Sequence, residues 1–229
     1  MKKLLIASIA AIGLVSLNLD SANAQVTASS YSTGGVAVAN AHGVGNTRLN
    51  AVAAASNGGY ARANMSGVGV RGGFAGGNAI AATNGGVAIA NGHSSARGWG
   101  SHANSNVTAA SNYGVAIARG GAHARGPAVA NSISGAYTNY GVALSDSQAN
   151  ARGILGRGVA HSTAISAVDY GVGISRSRAN ATGILGGHAV SNSGAYSVGV
   201  GRVIRSSATA NSRGLFGGRS LSTAINVRF

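Results

Sequence analysis

One short phrase returns along this chain, and it cannot bury itself in isolation. It reads Gly34-Gly35-Val36-Ala37-Val38-Ala39, then Gly85-Gly86-Val87-Ala88-Ile89-Ala90, Tyr113-Gly114-Val115-Ala116-Ile117-Ala118, Tyr140-Gly141-Val142-Ala143-Leu144-Ser145 and Tyr170-Gly171-Val172-Gly173-Ile174-Ser175. Degenerate copies start at Gly58 and Tyr196, giving about seven repeats at steps of 24 to 30 residues. A fixed period of this size marks a solenoid, in which each small unit buries its apolar face against the next.

Within a copy, larger apolar and small residues alternate, the period-two pattern of a strand. In the clearest unit, Gly141 to Ser145 is one such run and Asp146-Ser147-Gln148 reads as a polar turn. Ala149-Asn150-Ala151-Arg152 alternates again, and Ile154 to Gly158 is a glycine-bounded corner. Two or three short strands per repeat follow, with glycine where positive φ is wanted. Helix is disfavoured, because glycine recurs every few residues and each costs about 1 kcal/mol against alanine in a helix. The expectation is all-β: a parallel β-solenoid (β-helix or β-roll) whose inward column is Val87, Ile89, Val115, Ile117, Val142, Leu144, Val172 and Ile174. The period fits either one coil per repeat or two rungs of about 14 residues each.

Residues 1–24 read as a cleaved secretory signal. Lys2 and Lys3 precede an apolar run from Leu4 to Leu17, and Ser21-Ala22-Asn23-Ala24 supplies a small-x-small cleavage pattern. Residues 25–229 then form a single Gly/Ala-rich repeat domain with no transmembrane segment, secreted or held at a bacterial cell surface. With no cysteine, an exported domain of this size rests on backbone pairing and a packed interior rather than disulfides. From residue 25 on, the chain carries 15 arginines, no lysine and only Asp146 and Asp169 as acids, a formal charge of +13.

The stretch Gly114-Val115-Ala116-Ile117-Ala118-Arg119-Gly120-Gly121-Ala122-His123-Ala124-Arg125-Gly126 runs as apolar strand, small turn, then Ala-x-Ala-x-Gly, and Val87 to Gly98 has the same cadence. This cadence resembles the head repeats of trimeric autotransporter adhesins, over about Gly85 to Gly183. The resemblance implies a left-handed parallel β-roll that trimerises and binds host or matrix surfaces. The stalk heptads and the four-strand membrane anchor of that family have no counterpart in the sequence. The last residues, Leu221 to Phe229, alternate and end in Phe, which reads as a capping strand or an export signal.

Candidate site residues follow from the register. The residue before the corner glycine is Arg97, Arg125, Arg152, Thr182 and Arg213 in successive copies. Stacked, Arg97, Arg125, Arg152 and Arg213 would form a ladder suited to a polyanion, since the guanidinium fork grips phosphate or carboxylate. The competing reading is a solvated face that keeps the fold soluble. Tyr113, Tyr140, Tyr170 and Tyr196 recur in register as a stacked structural ladder. The six histidines fall at non-equivalent repeat positions, so no metal site is expected. With two acids in different copies and no triad spacing, neither catalysis nor a cofactor is expected.

These features point to a secreted or surface-displayed structural or adhesive repeat protein of a biofilm matrix or adhesin type. It would self-associate, as a trimer or fibre, and hold anionic polysaccharide, lipopolysaccharide or extracellular DNA on its arginines. The alternative is a soluble secreted Arg-rich module that binds nucleic acid or lipopolysaccharide. An ice-binding solenoid would need a regular threonine face, and threonine is sparse and out of register here.

Overall fold

A computed structural model describes residues 23–228, apart from 72, 155, 186, 187, 201, 202, 217 and 218. The leader expected over 1–24 lies outside these residues except for its last two, with which the first strand begins. Among the described residues twelve strands follow in order: β1 (Asn23–Thr33), β2 (Val36–Val44), β3 (Asn46–Ser56), β4 (Tyr60–Gly69), β5 (Phe74–Thr83), β6 (Gly86–Arg97), β7 (Ser101–Arg125), β8 (Ala128–Ile154), β9 (Gly158–Ile184), β10 (His188–Gly199), β11 (Val203–Leu215) and β12 (Arg219–Arg228).

All pairings are parallel, and they join the strands into one sheet that winds as a flattened β-solenoid. One layer stacks β1, β3, β5, the first halves of β7, β8 and β9, then β10 and β12. The other stacks β2, β4, β6, the second halves of β7, β8 and β9, then β11. One sequence repeat is therefore one coil with two long strands, rather than two rungs or three short strands. Val36, Tyr60, Val87, Val115, Val142, Val172 and Val203 occupy one column, each in register with the next.

Two corners close each coil. At one, Gly114, Gly141 and Gly171 take φ of 135°, 134° and 143° and stack on one another. A Cβ on Gly141 would run into the carbonyl oxygen of Gly114, so this position admits glycine alone. At the other corner, Gly98 and Gly126 also have positive φ and follow Arg97 and Arg125.

The interior inverts the expected core. Ala88, Ala90, Ala116, Ala118 and Ala143 are buried completely, whereas Val87, Ile89, Val115, Ile117, Val142, Leu144, Val172 and Ile174 point outward and are half-buried. The layers lie too close for branched side chains on both sides. Where a large residue does enter, glycine faces it: Gly43 and Gly67 lie against Leu49, and Gly92 lies against Val107. The outward Val and Ile are shielded along the column by their equivalents above and below, one strand spacing (~4.8 Å) away.

In later coils serine replaces alanine inside. Ser147 Oγ donates to Ser132 O at 2.7 Å, and Ser177 Oγ to Ser162 O at 2.7 Å, so the layers are also bonded through the core. The segment Asp146-Ser147-Gln148, expected as a turn, lies in the middle of β8 with Ser147 buried. Its neighbours Arg119-Gly120-Gly121 and Arg176-Ser177-Arg178 continue the ladder on either side, which keeps it extended.

Candidate polyanion-binding face

The outer surface of the layer containing β2, β4, β6 and β11 divides into two halves. Next to the glycine corner run the Val and Ile columns. Toward the opposite corner the outward positions become polar and basic. Arg97 pairs with Arg125, Arg125 with Arg152, Arg152 with Thr182, and Thr182 with Arg213. The expected ladder is thus in register, and all four arginines are exposed. The alternation that buries Ala96, Ala124, Ala151 and Ala181 turns their neighbours in this column to solvent. Two unit charges about 5 Å apart repel by roughly 1 kcal/mol even in water, so guanidinium groups held at the strand spacing would gain from a counterion.

Two residues inboard lies a second column: Ser95, His123, Asn150, Asn180 and Asn211. Asn180 Nδ2 donates to Asn150 Oδ1 at 2.8 Å, and Asn211 Nδ2 to Asn180 Oδ1 at 3.1 Å. Asn150 Nδ2 donates to His123 Nδ1 at 3.1 Å, which requires the neutral ring with its proton on Nε2. Burial, and then the neighbouring His93, hold the His123 pKa below its ordinary value. Burial, and then Arg157, do the same for His161, which stacks between Asn131 and Asn192 in the other layer. Ser95, Arg97, Arg125, Asn150, Arg152 and Asn180 line one shallow groove.

A second groove lies further inboard, against His42, His93, Arg119, Gly121 and Asp146. Here the histidines are less scattered than expected: His42 and His93 share one column on either side of Ser66. The rings of His93 and His123 lie 5.2 Å apart. Among the described residues no three His, Cys, Asp or Glu side chains converge. Asp146 stands in register between Arg119 and Arg176.

Tyr113, Tyr140 and Tyr170 stack at the glycine corner with centroids 5.2 and 5.1 Å apart and planes within 10°. Tyr196 does not join them. It lies in the other layer, paired with Ile165, because Val203, not Val198, occupies the position of Val172.

The asparagine columns were not anticipated. Besides the one above, Asn40–Asn64–Asn91, Asn50–Asn78–Asn106 and Asn84–Asn112–Asn139 are each chained by Nδ2-to-Oδ1 bonds of 2.6–3.2 Å. Their signal in the sequence is an asparagine repeating at steps of 24 to 31 residues, close to those of the phrase. Comparison with protein-family models, curated proteins and solved structures gave no match to the chain.

Proposed function

We propose that this is a secreted or surface-displayed structural and adhesive repeat protein that holds anionic polymers along its arginine column. The observation that carries this reading is the exposed register Arg97–Arg125–Arg152–Thr182–Arg213, in which no acid interrupts the stack. An excess of 15 arginines over two acids after residue 24 exceeds what solubility needs. The half-buried Val and Ile columns beside the tyrosine stack would serve self-association into a trimer or fibre.

The test replaces Arg97, Arg125, Arg152 and Arg213 together by Gln and measures heparin and duplex DNA binding against salt. Each lost phosphate contact lowers the salt slope on duplex DNA by about 0.9, so four lower it by roughly 3 to 4. Unchanged affinity and slope would leave the charge with solubility alone.

A further inference from the structure

We propose that the polymer held by the arginine column is a linear polysaccharide with one carboxylate on every sugar, lying parallel to the solenoid axis. This rests on the anion-holding reading above and names its ligand class.

Spacing is the first argument. The column offers one guanidinium per coil, about every 4.8 Å. A chain of sugar acids advances by about one pyranose ring per carboxylate, so rings and coils stay in step. Measured along its helix axis, duplex DNA presents a phosphate of each strand about every 3.4 Å. Between Arg97 and Arg152, two coils apart, that mismatch accumulates to most of one phosphate. The planar carboxylate also matches the guanidinium fork in bidentate fashion.

The neighbouring column is the second argument. Asn150 and Asn180 lie two residues inboard of Arg152 and Thr182, about 6.6 Å along the strand. Each amide spends one N–H in the ladder and keeps a second N–H outside it, with oxygen lone pairs to spare. A row of amides beside a row of guanidinium groups suits a polymer that carries hydroxyls beside its carboxylates. His123 is the single aromatic ring in the two columns, which therefore lack the row of rings on which successive bases of a single-stranded nucleic acid stack. The stacked tyrosines lie at the opposite corner.

The experiment titrates the chain from residue 25 with polygalacturonate, its methyl ester, heparin and duplex DNA at several salt concentrations. Polygalacturonate should bind at least about tenfold more tightly than DNA at equal salt, and the uncharged methyl ester should not bind. Oligomers should gain affinity steeply up to three sugars, the reach of Arg97–Arg125–Arg152, and slowly beyond. The double variant Asn150→Ser, Asn180→Ser, using the residue that Ser95 already supplies in that column, should weaken polygalacturonate about fivefold or more and leave DNA unchanged. DNA binding as tightly as polygalacturonate, or an ester that binds equally well, overturns this inference; the ester comparison needs no variant. Arg-dependent binding of heparin and DNA without polygalacturonate defeats the ligand class alone. No binding to any polyanion defeats the anion-holding reading itself.

Discussion

Replacing Gly92 by Ala should destabilise the solenoid although it adds only one methyl group. Gly92 is buried in β6, between Met65 and Gly120 in its column, and faces the other layer. A Cβ there would stand 2.5 Å from Ser105 Oγ, 2.6 Å from Val107 Cγ2 and 3.3 Å from Met65 Cε. Its φ lies outside the left-handed region, so the cost is steric alone. Overpacking of this kind costs about 1–3 kcal/mol, which lowers the melting temperature by roughly 2–12 °C in a chain of this length. Val107→Ala alone removes two methyl groups, about 0.8 kcal/mol each plus a cavity term, for roughly 2 kcal/mol. In the double variant the new methyl occupies the space vacated by Val107. The two costs should then fall short of their sum by about 1 kcal/mol or more. Denaturant unfolding of the four proteins, followed by strand circular dichroism, measures this cycle. A harmless Gly92→Ala, or strictly additive losses, would refute the glycine-against-large packing of the interior.

Tyr140→Ala removes both ring contacts of the corner stack, about 1–3 kcal/mol in total, and should abolish most of the near-ultraviolet circular dichroism. Tyr196→Ala, in the other layer, should leave that stacking signal in place. The histidines set the pH dependence. Because the folded pKa values of His123 and His161 are depressed, the unfolded chain binds more protons as pH falls through about 6.5. Stability should therefore drop on acidification through that range and level off below the depressed values. His123→Asn should flatten the fall, and a urea midpoint that rises on acidification would contradict the assignment.

The stacking register was legible because the phrase is tied to its corner glycine. Gly114, Gly141 and Gly171 each need positive φ, and the glycine recurring at this corner fixes which residues of these coils lie above one another. The arginine column followed, since each Arg immediately precedes the second corner. The facing of the strands was not legible. Alternation alone gives two solutions, and the ordinary preference for burying Val and Ile over Ala selects the wrong one. Here the interlayer gap admits methyl and hydroxymethyl groups, and Val115 and Ile117 find their apolar contacts along the outer column instead. Tyr196 was misplaced because its tyrosine-and-valine phrase falls ahead of the corner, where Val203 rather than Val198 pairs with Val172. The coil grows at the arginine corner, where turns tolerate insertion, so sequence spacing ceases to report stacking there. Asparagine bonding across coils escaped notice because each partner lies a whole repeat away in the chain.

Thiol accessibility at four consecutive positions tests the inverted interior most directly. The chain has no cysteine, so single substitutions at Val115, Ala116, Ile117 and Ala118 each create one thiol. In the native protein Val115→Cys and Ile117→Cys should react with a maleimide at rates set by their half-exposed outer columns. Ala116→Cys and Ala118→Cys, on a side buried completely, should react only after denaturation. Ready labelling at 116 and 118 with protection at 115 and 117 would place the branched side chains inside and contradict this account.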